Sequence, residues 1–288
     1  TVTHQRHPAV HHLSGEIDQG SLMAIVGPNG AGKSSLLDAL AGRLPLTSGR
    51  IEIAPALVGR VAYLPQQSQI DRSFPVGVLD LVSLGHWPRR GAFGAIDAPL
   101  REKAREALAS VGLSGFEQRR IGELSVGQFQ RVLFALVLLQ DAQLILLDEP
   151  FNAIDARTSA DLLAVVRRWH GEARTVVAVL HDMELVRENF PQTLLLAREA
   201  VAWGPTAQVL HAENLFRARQ MSERWDESAP VCERAARAPS AWRPDFTTST
   251  GFARAAARAA DMNLRGLGTL SRYMTIAWVF MSPASMSR

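Results

Sequence analysis

The feature that most constrains this chain is the segment Gly27, Pro28, Asn29, Gly30, Ala31, Gly32, Lys33, Ser34, which follows the apolar run LMAIV and leads into SLLDALAG. The spacing G-x-x-x-x-G-K-S between a strand and a helix lets backbone N–H groups turn inward around a phosphate, and the helix N-terminus adds positive potential. Lys33 offers a mobile cation to β and γ phosphates, and the Ser34 hydroxyl suits a hard cation such as Mg²⁺. Ser35, the next residue, belongs to the same candidate cradle.

The rest of the chain is organised around that turn. Short apolar runs bounded by turn residues recur at 22–26, 61–64, 144–147, 175–180 and 193–197 and predict buried strands. Helical patterns between several of them predict a mainly parallel sheet covered on both faces, an α/β fold. The gap from Leu64 to Leu144 lacks a core strand but has helical spacing over 76–84, 100–111 and 126–140, which predicts an inserted helical subdomain at about 75–140. Its second helix is expected to start after Asp97 as N-cap, with Pro99 in the first turn, and to stop at Gly112. Residues 1–227 are expected to form one domain. Residues 228–288, rich in Ala and Arg, are expected to be a weakly ordered basic tail.

Charge follows the same division. Net charge is +3, yet residues 233–288 hold eight Arg against Glu233, Asp245 and Asp261, which is +5 and leaves −2 for residues 1–232. A nearly neutral main domain gives no electrostatic reason to expect nucleic acid as a partner. One cysteine, Cys232, cannot form an internal disulfide, which points to a reducing compartment. No stretch approaches the roughly 20 apolar residues of a spanning helix, so the chain is expected not to cross a membrane itself. It opens on Thr1 rather than Met, so residues are expected to be missing before it.

A second chemistry-bearing segment is the strand at 144–147 ending in Asp148 and Glu149. Two carboxylates at a strand end beside a phosphate cradle suit Mg²⁺ coordination by Asp148 and orientation of an attacking water by Glu149. Those two segments also fit kinases, GTPases and helicases. Leu124, Ser125, Val126, Gly127, Gln128, with Gln130 and Arg131, separate them, because this segment resembles the signature of ABC transporter ATP-binding proteins. The likeness spans roughly residues 1–219 and implies a P-loop ABC ATPase fold, ATP and Mg²⁺ as ligands, ATP hydrolysis, and a small antiparallel β portion near the N-terminus.

The resemblance also assigns further residues. Gln66 resembles the loop glutamine that contacts Mg²⁺ together with Ser34 and Asp148, and His181 the switch histidine at the γ-phosphate. Asp155 resembles the acidic residue of the loop that crosses to a second cassette, while Ser125 and Gly127 would close over that partner's ATP in a homodimer. His4 stands 29 residues before Lys33, where the family places an adenine-stacking aromatic. A β-branched Val126 replaces the usual glycine, so strain and slow turnover are expected if that position needs positive φ or a close approach to phosphate.

The segments RHPAVHHLSG, FPVGVLDLVSLG and VLHDMELVRENFP resemble cassettes of zinc and manganese importers. That implies two permease subunits, an extracytoplasmic metal-binding protein, and a peripheral place on the cytoplasmic face of the plasma membrane. A haem or iron-chelate importer and a non-hydrolysing regulator are the competing readings. His4, His7, His11 and His12 are not expected to form a metal centre, since His11 and His12 would point to opposite strand faces. Phe74 to Leu84 is the candidate permease-docking stretch, with Phe74 and Val78 either docking or core residues; Trp87 and Trp203 are expected to pack.

Overall fold

The computed structural model describes residues 1–4, 7–87 and 96–223, with backbone alone for residues 3, 4, 7 and 8. The expectations for the tail, for Cys232 and for the His4 side chain lie outside the described residues. Strands β1 (Val2–His4) and β2 (His7–Val10) pair antiparallel, which is the small N-terminal β portion. Among the described residues the main sheet has six strands: β3 (Leu22–Val26), β4 (Val61–Leu64), β5 (Leu144–Asp148), β6 (Thr175–Val179), β7 (Gln192–Ala197) and β8 (Glu199–Pro205). Their order is β4-β5-β6-β3-β7-β8, all parallel except β8, which runs antiparallel to β7.

Both faces are buried, as the unbroken apolar runs require. Ala24, Val26, Leu64, Ile145 and Leu147 face one cluster, while the alternate residues Met23, Ile25, Tyr63, Leu144 and Leu146 face another. The first cluster is covered by helices α2 (Val78–Ser83), α3 (Ala98–Ser110), α4 (Val126–Gln140) and α5 (Ala156–Gly171). The second takes the helix whose range is Lys33–Leu40, here α1, together with β1 and β2. Helices α6 (Met183–Asn189), α7 (Thr206–Val209) and α8 (Ala212–Glu223) complete the described chain. Among the described residues no helix is long and apolar enough to cross a membrane.

Local chemistry sets the helix ends. The Asp97 carboxylate accepts from Leu100 N at 3.1 Å, and Gly112 turns the chain after α3 at φ 76°. Helix α2 starts two residues later than its periodicity suggests, where Val78 N donates to Arg119 O at 2.9 Å and Val76 O accepts from Ile121 N at 3.1 Å, and a 3₁₀ turn at Leu84–His86 continues it. Phe74 and Val78 are 7% and 0% exposed, so both belong to the core, which corrects the docking alternative at those two side chains. Trp203 packs as expected, with its ring seated on Gly15.

Candidate functional site

The adjacency of β5, β6 and β3 brings the loop 27–34, the Asp148–Glu149 pair and His181 to one edge of the sheet, where parallel strands end. Two of the loop glycines are there because nothing larger fits. A Cβ on Gly27 would lie 1.9 Å from Leu196 O at φ 152°, and one on Gly32 would lie 2.2 Å from Ala9 O at φ 90°. Helix α1 begins directly after Gly32, so its free N–H groups open into the loop. Lys33 is buried, and its Nζ donates to Gly27 O and Pro28 O at 2.9 Å each. Burial pulls the Lys33 ammonium below its usual pKa, while the charges of Glu149 and Asp148 oppose that shift.

Lys33 and its neighbours from Asn29 onward line a cleft of about 750 Å³, while Gly27 and Pro28 lie outside its lining. Asn29, Gly30, Ala31, Gly32, Lys33, Ser34 and Ser35 form one wall, and Gln66, Glu149, Asn152 and His181 converge from other segments. Asp148 lies just beneath, 1% exposed, with Oδ1 accepting from Ser34 Oγ at 3.2 Å. Its Oδ2 is buried with no partner among the described residues. Burial pushes the Asp148 carboxyl up to about 6; the Ser34 hydrogen bond and Lys33 pull the other way, and Glu149 and Asp38 add to the rise. A buried carboxylate oxygen that lacks a partner beside a hydroxyl is a set of hard oxygen donors, and it fits a divalent cation such as Mg²⁺.

Glu149 has both carboxylate oxygens engaged. His181 Nε2 is 2.6 Å from Oε1, and Asn152 Nδ2 donates to Oε2 at 3.0 Å. Its backbone is in the left-handed region at φ 51°, held by Glu149 N donating to Val179 O at 3.1 Å. Gln66 reaches the cleft from the turn after β4 and accepts from Ser68 Oγ at 3.4 Å.

The segment 124–128 lines no part of this cleft. Ser125 caps α4: its Oγ accepts from Gln128 N at 3.2 Å and Gln128 Oε1 accepts from Ser125 N at 3.0 Å. Val126 is the first residue of that helix, 40% exposed and absent from the residues of positive φ. The backbone strain that a positive φ would bring to a β-branched residue therefore does not arise. Gly127 lies against α5, where a Cβ would be 3.3 Å from Thr158 Oγ1. Asp155 caps α5 by accepting from Thr158 N at 2.9 Å and Thr158 Oγ1 at 2.8 Å, and those bonds hold its carboxyl below the usual range. The loop before Ser125 is gripped by Arg72, which donates to Leu124 O and lies over the Phe129 ring at 4.8 Å.

Arg198 and Ala9 enter the cleft without any sequence signal pointing to them, and Asn152 with no more than its place three residues after Glu149. Arg198 sits at φ 64° in the turn between β7 and β8, and its N–H donates to Ala31 O at 3.0 Å. Among the described residues no three His, Cys, Asp or Glu side chains converge as a metal centre, and His12 Nδ1 instead approaches Glu199 Oε1 at 3.4 Å.

A glycine-walled phosphate loop, a buried lysine and a carboxylate pair at the end of a parallel strand define a P-loop nucleotide-binding protein. Comparison with known proteins narrows the class. The ABC transporter family matches residues 10–152. The zinc transport system ATP-binding protein TroB of Treponema pallidum is 40% identical over 225 residues, covering 76% of this chain and 84% of that protein. The manganese transport system ATP-binding protein MntB of Listeria monocytogenes is 37% identical over 219 residues, covering 75% and 91%. Among solved structures, a metal-chelate-type ABC transporter in an inward-facing conformation aligns with TM-score 0.66 at 30% identity, covering 72% of this chain and 82% of that one. A dimeric bacterial ABC transporter cassette aligns with TM-score 0.61 at 26% identity, covering 69% and 90%. The chain belongs to the ABC transporter ATP-binding proteins, and as a cassette of that family it is an ATPase.

Proposed function

We propose that this cassette powers import of a divalent transition-metal ion, zinc or manganese, as a homodimer on the cytoplasmic face of the plasma membrane. Its partners are two permease subunits and, outside, a metal-binding protein. The observation that carries the ATPase part is the convergence of Lys33, Ser34, Gln66, Glu149 and His181 on one cleft that residues 124–128 do not line. The same division supports the dimer, because Ser125 and Val126 are exposed outside that cleft, where the segment they begin can cover the cleft of a second copy. The cargo rests on the relatives: identity to the zinc and manganese cassettes is 40% and 37%, against 30% for the metal-chelate-type transporter. Residues 1–227 act as one ATP-binding unit, with the helices at about 75–140 as its inserted subdomain.

In this reading the loop amides and Lys33 hold the triphosphate, with His4 against adenine. Asp148 and Ser34, with Gln66, would hold Mg²⁺, which offsets phosphate charge when bound. Glu149 orients the attacking water and takes its proton as the water oxygen bonds to the γ-phosphorus. The bond from that phosphorus to the bridging oxygen breaks, leaving ADP and phosphate. His181 steadies Glu149 and the γ-phosphate, and Asp155 lies on the loop that meets the partner.

The test compares wild type with Glu149→Gln. The variant should bind ATP, lose about 100-fold or more in turnover and accumulate as an ATP-bound dimer by light scattering. Co-reconstituted with its permease, the wild type should drive ATP-dependent uptake of radioactive zinc or manganese. Uptake of an iron chelate and of neither metal ion would replace the cargo assignment.

A further inference from the structure

We infer that Asn152 is a positioning residue for ATP hydrolysis: it holds the carboxylate of Glu149 in the orientation that receives the proton of the attacking water. The inference rests on the role proposed for Glu149. A carboxylate that abstracts a proton must aim one lone pair at a single point, and rotation about its last bond is broad and roughly two-fold. One contact fixes that rotation poorly. Here two donors act on the two different oxygens, His181 Nε2 at 2.6 Å from Oε1 and Asn152 Nδ2 at 3.0 Å from Oε2.

The two contacts differ in permanence. His181 stands on a separate strand end and is 41% exposed, so it is the partner free to turn toward a phosphate. Asn152 belongs to the same turn as Glu149, and its own N–H donates to Glu149 O at 3.2 Å. The side chain and main chain of Asn152 thus close a small ring with Glu149, whose backbone is itself fixed at φ 51°. Asn152 also lines both the main cleft and the smaller recess behind it formed with Phe151, Leu180 and Leu185. Asn152 thus borders both spaces, as Glu149 and His181 do. An asparagine suits this task, since its amide donates without carrying a charge that would compete with Lys33 for the phosphates.

The experiment uses Asn152→Ala and the isosteric Asn152→Asp, each alone and combined with Glu149→Gln. Asn152→Ala should lower kcat about 10-fold with KM for ATP and ATP-dependent dimer formation unchanged. Asn152→Asp keeps the shape, loses the donor and sets a second carboxylate against Oε2, so its kcat should fall further. In the Glu149→Gln background neither substitution should reduce the residual single-turnover rate, because a residue acting through Glu149 has nothing left to act on. Unchanged kcat in Asn152→Ala, a raised KM in place of a lowered kcat, or an equal loss in the Glu149→Gln background would each overturn the inference. If Glu149→Gln itself turns over like wild type, it is the role of Glu149 that fails, and the two failures are separately visible.

Discussion

Replacing Asp148 by asparagine should stabilise the nucleotide-free protein while abolishing its activity. The reason lies in the burial of a carboxylate with one oxygen left without a partner. Burial raises the Asp148 pKa from 3.8 to about 6, so the fold favours the neutral form. A group whose folded pKa is raised contributes its stability fully below the unfolded value and loses it as pH climbs through the folded value. The distance between those two pKa values corresponds to about 3 kcal/mol between the limits. The amide of the Asp148→Asn variant would be neutral at every pH and can still accept from Ser34, so the stability gap between variant and wild type should be under about 1 kcal/mol near pH 4 and about 3 kcal/mol by pH 7. For a domain of this size that gap is roughly 6–12 °C in melting temperature. The assay is a series of thermal melts in EDTA without nucleotide from pH 4 to 8. Saturating Mg-ATP at about 100 times its Kd should return about 2.7 kcal/mol to the wild type and nearly close the gap. A gap that does not grow with pH, or a variant less stable than wild type at pH 7, refutes the account.

Three further outcomes follow from local geometry. Gly32→Ala forces a Cβ to 2.2 Å from Ala9 O at positive φ, so it should cost about 2 kcal/mol or more and destroy binding of a fluorescent ATP analogue; an unchanged melt would contradict the packing. Val126→Gly should lower stability by up to about 1 kcal/mol in urea melts, since Val126 is helical and unstrained; a stabilised variant would restore the strain argument. Val78→Asp should cost about 4 kcal/mol or more and leave the protein largely insoluble, because Val78 is fully buried; a well-folded variant that fails only in transport would return the position to permease docking.

Much of the frame is legible in the sequence because its signals are local. A strand run, a glycine spacing and an N-cap are each written in a few consecutive residues, and five of the six main-sheet strands fall where unbroken apolar runs predict them. Strand β8 carries no such signal. Among the described residues it is an edge strand, EAVAWGP, half-exposed and paired on one side, so no apolar run marks it. Helix α2 shows the opposite limit. Val78, Leu79, Leu81, Val82 and Ser83 are all buried, and a helix surrounded by protein has the same apolar spacing as one that offers a face to a partner. Burial, which decides between them, depends on the segment 117–121 and on α4, far away in sequence.

The site divides along the same line. Gly27 to Ser34 and the Asp148–Glu149 pair carry their chemistry in residue type and spacing. Arg198 and Ala9 carry none; Arg198 reaches the cleft because β7 lies beside β3 and the turn after β7 bonds to Ala31, and Ala9, on β2, because its carbonyl packs over Gly32. Asn152 is in between. It lies three residues after Glu149, yet an asparagine in a turn is common, and only the direction of its amide distinguishes it. Val126 departs from expectation for a related reason: a side chain can be read from sequence, but the backbone conformation it must be weighed against cannot. Strain belongs to a φ value, and the Ser125–Gln128 capping box sets that value by starting the helix at Val126. With no positive φ at Val126, the first turn of α4 has N–H groups without intrahelical partners, and there Ser125 and Val126 are exposed and line no part of their own cleft. In the proposed homodimer the phosphates of the opposite nucleotide are the anions that suit those N–H groups.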